Sequence, residues 1–188
     1  MARNYTLKRR AESQADTRRR IVEAAVELHG TVGPAATTIS MIAEKAGVQR
    51  HTLYKHFPDE RAVLMACSGH SLEQDPMPDA APWRAIADPA ARLRAALGAI
   101  YDFYGRNESL LACVIRDAER DALVQEIMAL RYGPVIGSYH EALSAGLTVK
   151  QRAMLALALS FHAWRTLARE AGLKPKDVVA AMVEAVVA

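Results

Sequence analysis

The sequence lacks the features of several protein classes. It contains no run of about twenty apolar residues, the length that a membrane-spanning helix needs. Aromatic residues make up only 6% of the 188 residues, and no segment alternates apolar and polar side chains for long, as a half-exposed strand would. Because Ala and Leu are abundant instead, the composition predicts an all-helical protein.

Cysteine is also scarce, with only Cys67 and Cys113 in the chain. Their number and separation do not suggest a disulfide framework or a metal site, so we expect reduced, buried thiols in a cytoplasmic protein. The charged start, MARNYTLKRR, is not followed by an apolar segment and does not have the pattern of a secretory signal. We therefore expect no membrane partner, no metal and no cofactor.

Basic residues are concentrated at the amino-terminal end. Residues 1–57 contain ten Lys/Arg and five Asp/Glu, whereas residues 58–188 contain fourteen and sixteen. The net charge is thus +5 for the first part and −2 for the second. This asymmetry favours a nucleic-acid-binding end joined to a domain with another role.

The most informative segment is residues 37–57, TTISMIAEKAGVQRHTLYKHF. Its first half places apolar residues at helical spacing, and Gly47 then permits the left-handed backbone that ends a helix. In the second half, Val48, Leu53 and Phe57 are spaced to pack back onto the first. The spacing predicts two short helices joined by a tight turn, a helix-turn-helix.

The second helix of this pair carries polar side chains facing away from the predicted core. They are Gln49, Arg50, His51, Thr52, Tyr54, Lys55 and His56. A short helix with such a polar, basic face can enter the major groove of DNA. An ordinary solvated helix face has a similar pattern, so the segment alone leaves both interpretations open.

Two segments precede the helix-turn-helix. Residues 1–15 are polar and basic, and we expect a flexible arm there, either disordered or lying in a DNA minor groove. A helix from Asp16 or Thr17 to His29 should follow. The three arginines at 18–20 would then oppose the dipole at its start, which suggests that they meet an external phosphate unless they are simply solvated.

The segment from Thr17 to Leu64 resembles the amino-terminal domain of the TetR family of bacterial transcriptional regulators, most closely in TTISMIAEKAGV and TLYKHF. The resemblance implies an all-α protein with a three-helix helix-turn-helix DNA-binding domain and a carboxy-terminal helical domain that binds a ligand and dimerises. It also implies a double-stranded DNA operator as partner, with contacts from Thr38, Gln49, Arg50, His51, Thr52, Tyr54, Lys55 and His56.

Three positions depart from the family pattern. His51 stands where glycine is frequent, and His56 stands where an aromatic residue is frequent. Glu60 occupies a position where a lysine commonly contacts phosphate, with Arg61 as a candidate replacement. We expect the DNA specificity to differ most at these positions.

The helix-turn-helix and the family resemblance together predict three segments. They are a basic arm at 1–15, a DNA-binding domain at 16–58 and an effector-binding and dimerisation domain at 59–188. Capping residues and proline predict where the helices after the first one start, at Thr37 or Thr38, Asp59, Asp88–Pro89, Asn107, Asp121, Thr148 and Pro175. Proline predicts a kink or a break at Pro134, and glycine predicts helix ends at Gly146 and Gly172.

The last two predicted helices, about residues 149–187, are apolar over more than one face. Such helices are either central or shared with a partner. The family resemblance implies that they pair with a second copy, so we expect a homodimer. Its two recognition helices would lie about 34–36 Å apart, or a multiple of that, to read a palindrome.

Several carboxy-terminal residues are candidates for contacts with a small, hydrophobic or aromatic effector, with ordinary core as the alternative for each. They are Tyr101, Tyr104, Arg116, Phe161, His162 and Trp164, with Trp83 as a further candidate. Release of the operator by the effector would make the protein a repressor, although the sequence does not distinguish repression from activation.

The alternative function is a small all-helical enzyme or ligand carrier that merely contains a helix-turn-helix. No Ser/His/Asp order, paired carboxylates, phosphate-binding glycines or metal-ligand spacing supports it. We therefore expect no catalytic residue.

Overall fold

The computed structural model describes the backbone of residues 2–188 and the side chains of Arg9 and residues 11–188. Every regular element in this range is helical, which confirms the all-α class. The elements are α1 (Ala2–Thr31), α2 (Ile39–Lys45), α3 (Arg50–His56), α4 (Glu60–Gln74), α5 (Ala81–Arg84), α6 (Pro89–Arg106), α7 (Glu108–Ala118), α8 (Ala122–Leu143), α9 (Val149–Ala158), α10 (Phe161–Arg165), a π-helical turn (Thr166–Glu170) and α11 (Pro175–Val187). None of the helices described is both long enough and apolar enough to cross a membrane.

The chain forms two compact units. Unit 1 contains the amino-terminal residues up to Gln74 together with Ser109–Ala129, and unit 2 contains Asp75–Glu108 together with Leu130–Ala188. Unit 1 therefore holds α4 and most of α7 besides the helix-turn-helix, and this grouping does not follow the predicted boundary after residue 58. The division of function between 16–58 and 59–188 stays a prediction.

The core of unit 1 consists of small and branched apolar side chains. Ile21 of α1, Ile42 of α2, Leu53 of α3 and Val63 of α4 are all buried in one cluster, which Phe57 joins from the end of α3. In unit 2, α11 packs against α6 and α9 through another apolar cluster. Its most deeply buried members include Leu93, Leu97, Ile100, Leu155, Val178 and Val186.

Helix α1 begins earlier than predicted, at Ala2 instead of Asp16 or Thr17. No proline or glycine interrupts residues 2–29, and the Thr17 hydroxyl donates to the Ser13 carbonyl within the helix instead of capping its start. The arginines at 18–20 thus lie in the helix interior and do not oppose the dipole at the helix start. The inference of an external phosphate from that opposition was therefore wrong. The side chains of residues 1–8 and of Arg10 lie outside the described residues, and a DNA contact by the arm stays a prediction.

Most of the predicted helix starts are confirmed by side-chain caps. Carboxylates or hydroxyls accept backbone N–H groups in the first turns of five helices, at Thr38, Asp59, Asp88, Asp121 and Thr148, where Gln151 completes a capping box. The prediction that Asn107 caps the start of α7 was wrong. Its amide instead donates to the Asp75 carboxylate at 2.6 Å and to the Phe103 carbonyl at 3.1 Å.

Helix α8 continues through Pro134, so the helix does not break there, and a kink at this position stays a prediction. Proline removes one backbone donor, and the carbonyl left without it is that of Leu130, four residues earlier. Because Leu130 is 52% exposed, water can satisfy this carbonyl.

The predicted helix from Thr148 to Ala171 is not continuous. Helix α9 ends at Ala158, α10 starts at Phe161, and a π-helical turn completes the segment before Gly172, which has a φ of +67°. The Ser160 side chain accepts the Ala163 N–H and caps α10. This interruption carries no proline or glycine, so the sequence pattern did not reveal it.

Candidate nucleic-acid interface

The turn between α2 and α3 has the geometry that the sequence predicts. Gly47 has a φ of +64°, its N–H donates to the Glu44 carbonyl at 3.0 Å, and the Val48 N–H donates to the Ala43 carbonyl at 2.9 Å. These two bonds satisfy carbonyls at the end of α2 within a left-handed helix end. A helix-turn-helix is therefore present.

Two apolar residues fix the rotation of α3. Leu53 and Phe57 are almost completely buried in the core of unit 1. Since neighbours on one helix face recur every three or four residues, the side chains between them must point outward.

The predicted DNA-contact residues of α3 form this outward surface, and we call them the recognition face. Most of them are exposed, Tyr54 to 45%, while Thr52 and His56 are partly buried. Among the described residues, none of their side chains has a hydrogen-bond or ion-pair partner. The recognition face consists of Gln49, Arg50, His51, Thr52, Tyr54, Lys55 and His56.

Thr38 lies at the start of α2 and has a structural role there. Its exposed hydroxyl accepts the Met41 N–H at 3.2 Å as the N-cap. A hydroxyl that accepts in this way still has its own proton to donate. The cap is thus compatible with the predicted DNA contact.

The three arginines at 18–20 of α1 already have partners within the chain. The guanidinium of Arg18 lies 4.8 Å from the centre of the Phe57 ring, and Arg19 pairs with Asp16 and Glu23. Arg20 donates to the Ala46 carbonyl at 2.9 Å, where it binds the carboxy-terminal end of α2. Sequence reasoning missed this last contact because it joins residues 26 apart with no local signal.

Arg61, the candidate for the phosphate contact missing at Glu60, pairs with the Glu126 carboxylate at 2.7 Å. About half of each side chain is exposed. An external phosphate would have to compete with Glu126 for this guanidinium.

Residues 21–67, which cover α2, α3 and their supporting core, match the family model of the bacterial regulatory proteins of the TetR family. The match covers 47 of the 188 residues, so the similarity to this family lies in the amino-terminal segment. Over 72 residues, 37% of the chain, it is 40% identical to the HTH-type transcriptional regulator SrpR of Pseudomonas putida. That alignment spans only 34% of SrpR, so the similarity does not extend to the whole relative.

Solved structures resemble the fold of this chain over most of its length. A putative TetR-family transcriptional regulator from Mesorhizobium loti is 19% identical, with a TM-score of 0.65 over 93% of this chain and 96% of that one. AibR, solved in complex with isovaleryl coenzyme A and operator DNA, is 20% identical, with a TM-score of 0.62 over 89% and 96%. At this level of identity the likeness establishes the fold alone.

The candidate effector residues separate into different environments. Tyr101 and Trp164 line a cavity of about 290 Å³ in unit 2. Tyr104 and Phe161 are buried in an aromatic cluster, with ring centres 5.6 Å apart. His162 is exposed.

Two further candidates have contacts of other kinds. Arg116 belongs to unit 1, where it pairs with Asp117 at 2.8 Å and donates to the Val32 carbonyl at 3.1 Å. Asp117 also accepts the Ala35 N–H at 3.0 Å. The two residues thus hold the connection between α1 and α2. Trp83 is buried against Tyr139, with ring centres 5.0 Å apart.

The hydroxyl groups of Tyr101 and Tyr104 bind the interruption between α9 and α10. They donate to the carbonyls of Ala158 and Leu159 at 2.8 and 2.7 Å. Burial raises the pKa of both tyrosines, that of Tyr104 to about 12, so both keep their protons at neutral pH. Sequence reasoning selected these residues as effector contacts and missed this role, which depends on contacts between distant helices.

Proposed function

We propose that this chain is a transcriptional regulator of the TetR family that inserts α3 into the major groove of a DNA operator. The observation that carries the proposal is the recognition face, whose polar side chains are mostly exposed and have no hydrogen-bond or ion-pair partner among the described residues. Polar side chains that form no internal hydrogen bonds are available for base edges and phosphates. The buried pair Leu53 and Phe57 would hold this surface rigidly toward the DNA.

The charge distribution supports the same function. Arg50 and Lys55 add positive charge to the recognition face, and residues 1–57 have a balance of +5. Electrostatic attraction to phosphates provides most of the sequence-independent affinity of DNA-binding proteins. The similarity to SrpR, a transcriptional regulator, and to AibR, a protein solved with operator DNA, agrees with this assignment.

We propose a homodimer formed by the carboxy-terminal helices. The apolar residues of α11 are mostly buried within the chain, so the broad second apolar surface predicted there is not available for a partner. Support comes instead from α9, where Leu157 is 47% exposed beside the exposed Ala153 and Ala156. Small side chains allow two helices to approach closely, and a twofold dimer would place two copies of α3 on a palindrome.

The proposed effector is a small hydrophobic or aromatic molecule that releases the operator and so makes the protein a cytoplasmic repressor. Its candidate site is the 290 Å³ cavity beside Tyr101 and Trp164, since aromatic walls with a few polar groups are typical of small-molecule sites. The charged residues that line it are Asp102, Arg106 and Arg169. AibR with its bound isovaleryl coenzyme A is a precedent for a protein of this fold that holds a small molecule.

Selection of DNA fragments by the purified protein tests the function. Genomic fragments that include the chain's own upstream region are incubated with the protein, and the bound fraction is sequenced and confirmed by gel shift. Enrichment of a palindromic sequence is the expected result. Recovery of random fragments only, with binding that competitor DNA removes, would contradict the proposal and favour a ligand carrier.

A further inference from the structure

A second, smaller cavity lies within unit 1. Its volume is about 140 Å³, and helices α1, α2, α4 and the start of α8 contribute its walls. Ile42, Val63 and Leu64 supply apolar surface. Polar side chains also line the cavity, namely His29, Thr37, Thr38, Glu60 and Asp121. A space of about 150 Å³ can hold a molecule of the size of benzene. This space is therefore large enough for a small aromatic or branched aliphatic group.

One buried polar group in this cavity lacks a full set of partners. His29 is only 4% exposed and lines the cavity, and its Nδ1 lies 3.2 Å from the Cys67 sulfur. No described residue bonds to its Nε2. Since no fully enclosed side-chain nitrogen or oxygen of the described residues lacks a partner, Nε2 retains some accessible surface. Burial lowers the pKa of His29 to about 4, against a weaker opposing effect of the Asp117 charge, so the imidazole is neutral at pH 7.

The charged groups of the cavity are all acidic. Glu60 and Asp121 are among its lining residues, which include no lysine or arginine. Glu60 forms no hydrogen bond or ion pair with a described side chain, whereas Asp121 accepts the N–H groups of Leu123 and Val124 through one oxygen. Both carboxylates stand at helix starts, whose partial positive charge is about half a unit each, so a negative potential remains. The neighbouring Arg61 is paired with Glu126.

We propose that this cavity binds a small organic cation, a protonated amine attached to an apolar group of about the size of benzene. The apolar group lies against Ile42, Val63 and Leu64. The ammonium group lies at the carboxylates of Glu60 and Asp121. A hydroxyl group on the far end of the ligand would meet His29 Nε2. The site is separate from the proposed effector cavity and lies inside the unit that carries the helix-turn-helix.

Isothermal titration calorimetry of the full chain tests the proposal without DNA, so its result is independent of the proposed regulatory function. The probes are phenethylamine and its matched anion 3-phenylpropanoate at pH 7. Binding of the amine with weaker or undetectable binding of the anion is expected. Equal binding of both probes, or binding of neither, would overturn the assignment.

Two variants locate the site. Glu60→Gln removes one exposed carboxylate that has no described partner and should weaken amine binding about two- to fivefold, the effect of an exposed ion pair. Glu44→Gln, an exposed carboxylate that does not line the cavity, is the control and should leave binding unchanged. An unchanged affinity for Glu60→Gln would place the amine elsewhere and contradict the proposal.

A pair of ligands tests the role of His29. Tyramine differs from phenethylamine by one hydroxyl at the end opposite the amine. If this hydroxyl reaches Nε2, we expect tyramine to bind more tightly than phenethylamine. The hydroxyl then exchanges a hydrogen bond to water for one to Nε2 inside a buried space. Weaker binding of tyramine would show that the inner end of the ligand does not meet His29.

Discussion

The hydroxyl of Tyr104 donates to the carbonyl of Leu159 at 2.7 Å, at the point where α9 has ended and α10 has not begun. A continuous helix would satisfy this carbonyl with the N–H of Ala163, but that group instead donates to the Ser160 hydroxyl. The hydroxyl of Tyr101 likewise donates to the carbonyl of Ala158. The aromatic pair thus replaces backbone hydrogen bonds that the interruption removes, in a region where water has little access.

Replacement of Tyr104 by Phe should destabilise the protein. The Leu159 carbonyl would stay buried without its donor, at a cost of about 1–3 kcal/mol. Urea denaturation followed by circular dichroism measures the change. Tyr54→Phe is the matched control, since its hydroxyl is exposed and has no described partner, and it should stay near the wild-type value. Equal stability of Tyr104→Phe and wild type would contradict the proposed role of the hydroxyl.

Stability should decrease as the pH falls from about 6.5 to about 4, because of His29. Burial lowers its pKa to about 4 in the folded protein, so the unfolded chain binds this proton more readily throughout that window. The loss approaches about 3 kcal/mol at the acidic end. Denaturation at a series of pH values measures it, with the exposed His162→Gln as control. The free energy of unfolding of the His29→Gln variant should depend much less on pH over this range. If its pH dependence equals that of wild type, groups other than His29 cause the loss of stability.

Replacement of Lys55 by Ala should weaken binding to all DNA sequences alike. A lysine that binds a phosphate releases counterions, so the slope of log affinity against log salt should fall by about 0.9 for each phosphate that the protein no longer neutralises. Tyr54→Ala should also weaken binding but leave this slope unchanged, because the phenol is neutral. Fluorescence anisotropy across a salt series distinguishes the two. Wild-type affinity for Lys55→Ala at every salt concentration would remove it from the interface.

His51→Ala and Thr52→Ala should change the order of preference among operator sequences. Side chains that meet base edges contribute about 1–3 kcal/mol of discrimination each, while phosphate contacts carry no sequence information. Competition of single-base operator variants against the selected operator measures the preference. A uniform decrease in affinity across all variants would indicate phosphate contacts for these two residues.

Gly33→Ala should destabilise unit 1 much more than Gly47→Ala. Both glycines have a positive φ, at +101° and +64°. A Cβ at Gly33 would collide with the guanidinium of Arg116 and the carboxylate of Asp117, whereas one at Gly47 has only Arg20 at 3.7 Å. Gly47→Ala should therefore cost only the strain of a left-handed residue, about 1–2 kcal/mol. Thermal unfolding of both variants makes the comparison, and similar melting temperatures would rule out the collision.

The sequence by itself determined the features whose signals are local. Ile39, Ile42 and Leu53 are spaced for burial, Gly47 permits the turn, and five of the predicted caps are confirmed, because each depends on residues within one helical turn. The outward direction of the recognition face follows from the same periodicity. The contacts of these residues with DNA stay predictions.

Only the tertiary structure decided which distant groups meet. The partner of Arg20 is a carbonyl 26 residues away, and Tyr101 and Tyr104 bind carbonyls more than 50 residues away. The interruption of the predicted helix after Ala158 and the cavity beside His29 likewise depend on several helices together. Such features are set by the packing of whole elements, and no short spacing within the chain encodes them.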